Sequence, residues 1–273
     1  MKTKNIWEKQ FVTLILIVGG VLVSIPFIWM ILSSFKTEKE ALNIPPTLFP
    51  HKFTFQHYID LFQKLDFDVY LINTLIIVFF SMIGLVLNTL AGYGFAKYQF
   101  RGKEALFIIV LSTLMIPDQV TMIPTYLIVN EMGLTNTLAG IILPGLVSAF
   151  SLFLIRQFMT TIPNDLIEAA RLDGAGELYI FFKVVLPLSK PILAVQIIFT
   201  FIGSWNSFLW PLIIANDDAL YTLSVGLSLL KGQYSTGFAL QMAGATYMVV
   251  PILIIFSIFQ KYIVKGFNMT GIK

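Results

Sequence analysis

Cysteine is absent from the 273-residue chain, and histidine occurs only twice. Without cysteine there are no disulfides, no thiolate nucleophiles and no cysteine-ligated zinc sites. The two histidines, His51 and His57, lie six residues apart and do not share a helical face, so we expect no metal site there. No G-x-S-x-G motif accompanies them, which argues against a serine hydrolase. We therefore expect no catalysis within this chain.

The sequence also lacks G-x-x-x-x-G-K-[ST], the loop that cradles nucleotide phosphates in P-loop ATPases. Its one Gly-Lys pair, Gly102–Lys103, continues with Glu104 instead of Ser or Thr. We therefore expect this chain to bind no cofactor and to hydrolyse no ATP by that route.

Charged residues are scarce, because they make up 12% of the chain against roughly 25% in soluble domains. Hydrophobic residues make up 57% and occur in runs of 18 or more, which is the length of a transmembrane helix. The net charge of +3 is too small to indicate a nucleic-acid partner. The apolar stretch at 11–32 is too long for a cleaved signal peptide and lacks a small-residue cleavage site, so we interpret it as a retained span.

The expected fold class is an all-α polytopic membrane protein, with residues 1–273 forming a single transmembrane domain. Thirteen of the eighteen Lys and Arg residues fall in the N-terminus, the 97–103 loop, the 156–190 loop and the C-terminal tail. By the positive-inside rule, these segments and both termini are predicted to be cytoplasmic. Six transmembrane helices are predicted, at about 11–33, 69–96, 104–128, 138–158, 191–214 and 241–263.

A polar stretch at 160–191 interrupts the apolar sequence and has the pattern of a helix, a turn and a second helix. Pro163 and Asp165 suit a first helical turn, and Gly174 is placed to end the helix in a left-handed conformation. The second helix is predicted from about Glu177 to the helix breaker Pro187.

The first helix of this stretch has one apolar face, formed by Leu166, Ala169 and Ala170 at i, i+3 and i+4. A helix of about ten residues is marginally stable alone in water, so this small-residue face is expected to dock on another surface.

Polar residues inside the predicted spans are candidates for a solute pathway, because even the lenient insertion scale gives a charge at the bilayer centre a cost of roughly 2.5–3.5 kcal/mol. Hydrogen bonding between helices remains the alternative for the amides, and Asp118 has the alternative of reaching the outer interface. Trp210 is interpreted as an interface anchor. The pathway candidates are Asn88, Asp118, Gln119, Trp205, Asn206 and Gln241.

The predicted external loop at 34–68 contains an amphipathic pattern. Phe55, Tyr58, Ile59 and Phe62 repeat at i, i+3, i+4 and i+7. Such a helix either lies on the outer membrane surface or packs against the helices of its own chain, and the pattern fits both.

The 160–191 stretch resembles the EAA loop of ABC importer permeases, on Glu168-Ala169-Ala170, then Asp173-Gly174-Ala175, then Leu186-Pro187 and Pro191. The segment from Trp205 to Pro211 is similar to the corresponding span of carbohydrate permeases. The likeness covers nearly the whole chain and is strongest to the maltose-permease G-subunit type.

The resemblance implies a type I importer in the cytoplasmic membrane of a prokaryote. It implies a second, non-identical permease subunit, a dimer of ABC ATPase subunits that holds ATP and magnesium, an extracytoplasmic solute-binding protein, and contact with membrane lipid. The implied cargo is a sugar or oligosaccharide. A polyol or glycerol-phosphate importer is the alternative within the class, and a secondary transporter is the main alternative outside it.

The resemblance also implies roles for particular residues. The EAA loop would dock in a cleft of the ATPase, with Glu168 pairing with a basic group, Ala169 and Ala170 permitting close approach, and Gly174 making the turn. Asp173 belongs to the same ATPase-coupling motif. The loop that contacts the binding protein would include Gln233, Tyr234 and Ser235.

Overall fold

The computed structural model describes the backbone at residues 4–233 and 237–270, and the side-chain surroundings at residues 7–230 and 237–262. Helices account for all the regular structure in these segments, and no strand occurs in them. The predicted all-α class is confirmed.

Fifteen α-helices occur in the described part of the chain. Short 3₁₀ turns at Leu143–Gly145 and Asp218–Leu220 and a π-helical segment at Ile180–Val185 lie between them. The α-helices are α1 Lys4–Ser34, α2 Glu38–Ala41, α3 Gln56–Lys64, α4 Phe67–Lys97, α5 Lys103–Thr113, α6 Asp118–Glu131, α7 Leu138–Ile142, α8 Ala149–Thr160, α9 Asn164–Leu172, α10 Glu177–Tyr179, α11 Leu186–Leu188, α12 Lys190–Trp205, α13 Leu209–Ile214, α14 Leu223–Gln233 and α15 Phe238–Thr270.

Five stretches of these helices are long and apolar enough to cross a membrane, and a sixth candidate is a bent pair. The bent pair is α5 and α6, which meet at 101° where the sequence predicts one span at 104–128. Pro117 accounts for the break, because it has no N–H to donate and disfavours helical geometry at the residue before it. Pro124 lies inside α6 without ending it.

The described chain divides into two compact units. One comprises Met1–Phe67 and Leu227–Val250, and the other comprises Asp68–Gly226 and Pro251–Lys273.

In the first unit, the loop after α1 folds around two buried charged side chains. Lys36 donates from its Nζ to the carbonyl of Thr47, and this Nζ lies 4.4 Å from the centroid of the Trp29 ring. The Glu40 carboxylate accepts from Thr47 Oγ1 at 3.2 Å and from the His51 N–H at 2.7 Å. The His51 hydrogen bond is the main cause that lowers the pKa of Glu40, so this buried carboxylate stays ionised.

The predicted amphipathic helix at 55–62 is present as α3. Its Leu61 is fully buried, and the Phe62 ring makes edge contacts with Phe67 and Tyr247 at centroid distances of 5.7 and 5.6 Å. Phe55 and Ile59 remain exposed. The helix therefore packs against its own unit through Leu61 and Phe62. Of the two predicted alternatives, this is packing within the chain and not a position on the membrane surface.

In the second unit, one face of α4 lies unusually close to neighbouring backbone. A Cβ atom at Gly84 would lie 2.0 Å from the carbonyl oxygen of Leu146, and one at Gly92 would lie 2.7 Å from Ile155 Cγ2. Gly84, Asn88 and Gly92 are four residues apart and share this face. Small residues therefore let the 143–160 region pack directly on α4.

We predict that Gly84→Ala lowers the stability of the folded chain by about 1–3 kcal/mol, because the added methyl group has no room beside Leu146. The matched control is Gly94→Ala on the same helix, where nothing lies within 4 Å of the added Cβ atom. Thermal unfolding of the detergent-solubilised protein measures both. Equal melting temperatures for the two variants would contradict the close packing of α4.

Candidate functional site

The EAA-like stretch forms the short helix α9 followed by a left-handed turn. Pro163 precedes the helix, and Gly174 follows it with a φ of +82°. The Gly174 N–H donates to the Arg171 carbonyl and the Ala175 N–H to the Ala170 carbonyl, both at 3.0 Å, which is the hydrogen-bond pattern of a Schellman cap. The predicted helix and its glycine-dependent end are confirmed.

One face of α9 packs inside the chain. Ile167 is buried, and Ala170 packs partly against the same core. Leu166 is 45% exposed, Leu172 is 89% exposed, and Ala169 is exposed as well. Leu166 and Ala169 of the predicted docking face are therefore uncovered in this chain, while Ala170 is partly covered.

Most of the residues that the resemblance assigns to ATPase coupling lie on the exposed side of α9. Glu168, Ala169, Asp173 and Gly174 are exposed, and Ala170 is the exception. The arrangement presents two carboxylates, one small side chain and two leucines on one accessible surface, which we call the α9 surface: Leu166, Glu168, Ala169, Leu172 and Asp173.

The predicted second helix of the loop is also present, over residues 177–188. It consists of α10, a π-helical segment and α11 in succession, and it ends at Ser189, two residues beyond Pro187. Its Ile180, Phe181 and Val185 are buried in the core that also holds Ile167.

Hydrogen bonds from the end of α4 hold the loop at both ends of α9. Lys97 Nζ donates to the Ile162 carbonyl at 2.5 Å and to Asn164 Oδ1 at 2.9 Å. The Tyr98 hydroxyl donates to Glu177 Oε2, and Arg171 Nε pairs with Glu177 Oε1 at 2.7 Å. We call the five side chains Lys97, Tyr98, Asn164, Arg171 and Glu177 the clasp.

The clasp has a defined protonation state at neutral pH. The hydrogen bond from Arg171, followed by that from Tyr98, lowers the pKa of the Glu177 carboxyl. Burial, followed by the hydrogen bond to Glu177, raises the pKa of the Tyr98 phenol. Glu177 is therefore an ionised acceptor and Tyr98 a neutral donor, a charge-assisted pairing.

Sequence reasoning identified no clasp, because its members are far apart in the chain. Tyr98 and Glu177 are separated by 79 residues, and Arg171 and Glu177 by six, which is not a helical pairing distance. The local sequence around Lys97 and Tyr98 shows only a basic helix end.

Two pathway candidates are buried in packing contacts within the chain. Asn88 Oδ1 accepts from the Ser148 N–H at 3.1 Å, where it fixes the start of α8. Trp205 is stacked on Phe201 with ring centroids 5.5 Å apart and an interplanar angle of 14°. Neither side chain reaches an open surface in this conformation, and a role of Asn88 and Trp205 in a solute pathway stays a prediction.

The other pathway candidates are accessible. Asp118 and Gln119 are exposed at the start of α6, Asn206 is exposed where α12 ends, and Gln241 is half-buried near the start of α15. Their role as pathway residues stays a prediction. Trp210, interpreted as an interface anchor, donates from Nε1 to the Gly140 carbonyl at 3.1 Å within the chain.

Gln196 is a further candidate functional residue, which was not among those selected from the sequence. Its side chain on α12 is fully buried, and neither amide atom has a hydrogen-bond partner among the described residues. A buried, unpaired polar group costs about 1–3 kcal/mol, so this amide is an unusual feature of the span. The signal was visible in the sequence as a lone glutamine between Val195 and Ile197.

The predicted binding-protein loop lies mostly outside the described residues. Tyr234 and Ser235 fall outside them, as does the side chain of Gln233. Helix α15 begins just after this loop, and Glu38 caps its start. The Glu38 carboxylate accepts from the N–H groups of Phe238 and Ala239 at 2.5 and 3.0 Å.

A family model described as "binding-protein-dependent transport system inner membrane component" matches residues 84–269. The arabinooligosaccharides transport system permease protein AraQ of Bacillus subtilis is 33% identical over 265 residues, which cover 96% of this chain and 94% of AraQ. The diacetylchitobiose uptake system permease protein NgcG of Streptomyces coelicolor is 31% identical over 254 residues, 91% of this chain and 84% of NgcG. The sn-glycerol-3-phosphate transport system permease protein UgpE of Rhizobium meliloti is 31% identical over 263 residues, 93% of each chain.

Solved structures share the fold at lower sequence identity. A chain from the crystal structure of a bacterial ABC transporter involved in the import of the acidic polysaccharide alginate superposes with a TM-score of 0.79 at 24% identity, covering 93% of this chain and 96% of that one. A chain from the alginate transporter in complex with its alginate pentasaccharide-bound periplasmic protein gives 0.65 at 15% identity, covering 92% and 93%. The fold is that of a type I importer transmembrane domain.

We predict that Gly174→Ala destabilises the end of α9 by about 1–2 kcal/mol, because a side chain at a φ of +82° is strained. The matched control is Gly176→Ala, where φ is −71° and nothing lies within 4 Å of the added Cβ atom. Hydrogen exchange of the α9 amides measures both variants. Equal exchange in Gly174→Ala and Gly176→Ala would contradict the role of the left-handed cap.

Proposed function

The chain belongs to the family of inner membrane components of binding-protein-dependent transport systems, and on that premise we propose that it forms half of an oligosaccharide pathway powered by a separate ATPase. It is a multi-pass protein of the prokaryotic cell membrane and a permease subunit of an ABC importer. The observation that carries the proposal is the α9 surface, an accessible helix face that bears the EAA-like residues.

The α9 surface has the properties of a docking site for the ATPase. Glu168 supplies a free carboxylate, Ala169 leaves room for a close approach, and Leu172 supplies apolar contact area that the chain itself does not cover. The charge distribution supports a cytoplasmic location for this loop, where an ATPase has access to ATP and magnesium. Energy then has to enter through this contact, because the sequence contains no P-loop.

A second, non-identical permease subunit is part of the proposal. The most apolar part of α1 has no buried residue among the described residues. Packing contacts of this segment would come from lipid or from another subunit, and a pathway built from two subunits supplies the latter. An extracytoplasmic binding protein would dock on the opposite side from α9.

Transport follows from alternating states. ATP-driven closure of the ATPase dimer moves the docked α9, and α9 moves the spans to which it is attached. The solute is released only insofar as the two states differ in their contacts with it.

An oligosaccharide is the cargo that the observations favour. AraQ and NgcG are named for arabinooligosaccharides and diacetylchitobiose. Inside the candidate spans of the described chain, Lys and Arg residues lie near helix ends, as Lys97 and Lys190 do. Arg156 is engaged by Gln157 and by the Phe107 ring, with its Cζ 4.3 Å from the ring centroid. A neutral solute needs no cation in the pathway.

Glycerol phosphate is the second candidate, because UgpE of Rhizobium meliloti matches over 93% of this chain. The phosphate of such a solute would favour a cation in the pathway. The accessible pathway candidates Asp118, Gln119 and Asn206 supply none, so the oligosaccharide remains preferred.

We predict that Ala169→Arg lowers the amount of ATPase that co-purifies with the permease by about tenfold, since a long charged side chain blocks close approach at the α9 surface. The control is Ala219→Arg, at an exposed alanine in the loop predicted to lie on the other side of the membrane. Retention of the second permease subunit by both variants shows that they fold. Unchanged ATPase binding by Ala169→Arg would contradict the proposed docking.

We predict that ATP-loaded proteoliposomes containing the importer take up radiolabelled oligosaccharide in the presence of the cognate binding protein. Excess glycerol phosphate is expected to leave that uptake unchanged. Inhibition by glycerol phosphate, together with its own ATP-dependent uptake, would favour the second candidate instead.

A further inference from the structure

We propose that Lys97 and Tyr98 are positioning residues that tie α9 to the end of α4, so that α9 and α4 move as one body during transport. This inference rests on the proposed function, in which α9 receives the movement of the ATPase. The inference adds the route by which the movement of α9 is transmitted to α4.

The polypeptide chain connects α9 directly to two other helical segments. Thr161–Pro163 connects it to α8, and the helical segment from Glu177 to Leu188 leads to α12. The clasp adds α4, which is distant in sequence. Lys97 contacts the residues at the start of α9, and Tyr98 contacts Glu177 just beyond its end. Holding a short helix at both ends prevents it from tilting independently of α4.

Buried apolar contacts lie directly beneath the clasp. Tyr93 on α4 has its ring centroid 5.1 Å from that of Phe181 and 5.4 Å from that of Tyr98. Ile167 of α9 belongs to the same buried cluster as Tyr93 and Phe181. The clasp therefore joins α9 to α4 through directional hydrogen bonds, and this cluster joins the same two helices through apolar packing.

Apolar packing continues along α4 away from the clasp. A cavity of about 320 Å³ lies beside α4, with Met82, Val86 and Thr89 on one side and Phe182, Leu193 and Ile197 on the other. Next to this cavity, Leu85 of α4 belongs to the same buried cluster as Phe181. The hydrogen bonds of Lys97 and Tyr98 therefore add a directional connection at the end of α4 to this packing.

Glu177 is the centre of the clasp, because one carboxylate oxygen accepts from Arg171 and the other from Tyr98. Arg171 lies in the last turn of α9. The carboxylate thus connects the end of α9 to the end of α4 through two charge-assisted hydrogen bonds. Removal of the Tyr98 hydroxyl breaks the α4 side and leaves the α9 side intact.

The first test compares Tyr98→Phe with Tyr179→Phe in the complete importer. Tyr179 is exposed on α10, two residues beyond Glu177, so the loss of its hydroxyl is a matched control near the clasp. We expect Tyr98→Phe to reduce the solute transported per ATP hydrolysed by about fivefold or more, the low end of usual coupling strengths. ATPase binding and ATP hydrolysis are expected to be retained, and Tyr179→Phe is expected to behave as wild type.

The second test measures movement directly and uses the absence of native cysteine. Nitroxide labels at Phe79→Cys on α4 and Asp165→Cys on α9, both exposed positions, report the distance between the two helices by pulsed EPR. With the clasp intact, we expect that distance to change by less than about 2 Å between the nucleotide-free and ATP-bound importer. With Tyr98→Phe, the distance distribution is expected to broaden or to shift with nucleotide.

A wild-type distance that shifts with nucleotide would overturn the proposal, as would normal coupling in Tyr98→Phe. A Tyr98→Phe importer that no longer assembles would assign the hydroxyl to stability and overturn it too. Failure of the wild-type permease to bind any ATPase would overturn the proposed function, and the clasp proposal with it. Normal ATPase binding with independent movement of α4 and α9 would overturn the clasp proposal alone.

Discussion

The second unit depends on the close approach of backbone to one face of α4. Gly84 and Gly92 leave no side chain on that face, and Asn88 between them accepts from the first turn of the segment that packs there. In a bilayer, where burial against lipid gives apolar side chains little advantage, such contacts and hydrogen bonds hold helices together. This packing sets α8 against α4, and the loop that follows α8 therefore ends beside Lys97 and Tyr98. The position of α9 is a consequence of the glycines on α4.

Patterns local in sequence predicted local structure well. Helix α9 and its left-handed glycine, the amphipathic α3 and most long apolar helices follow from spacing, propensity and capping rules. One local prediction differed for an identifiable reason. The span predicted at 104–128 turns a corner, because Pro117 has no N–H to donate and disfavours helical geometry at the residue before it. On α9, Ile167 packs inside the chain and leaves Leu166 and Ala169 of the predicted docking face exposed.

Features that depend on distant residues were not predictable from one sequence. The hydrogen bond that Asn88 accepts from Ser148 joins residues 60 positions apart, so the neighbours of Asn88 in the sequence do not indicate it. The clasp is the clearest example, since the hydrogen bonds that Lys97 and Tyr98 donate in it cross 65 to 79 residues. No rule based on spacing detects an interaction of that kind.

The corner between α5 and α6 has a consequence for solvation. Helices of 11 and 14 residues are about 16 and 21 Å long, and each is too short to cross a hydrocarbon core of about 30 Å alone. The first turn of α6 has backbone N–H groups without helical acceptors, and Asp118 places a negative charge among them. Lipid tails offer no acceptor for those groups and no screening for that charge. The corner must therefore face water or another protein, and lipid tails cannot cover it.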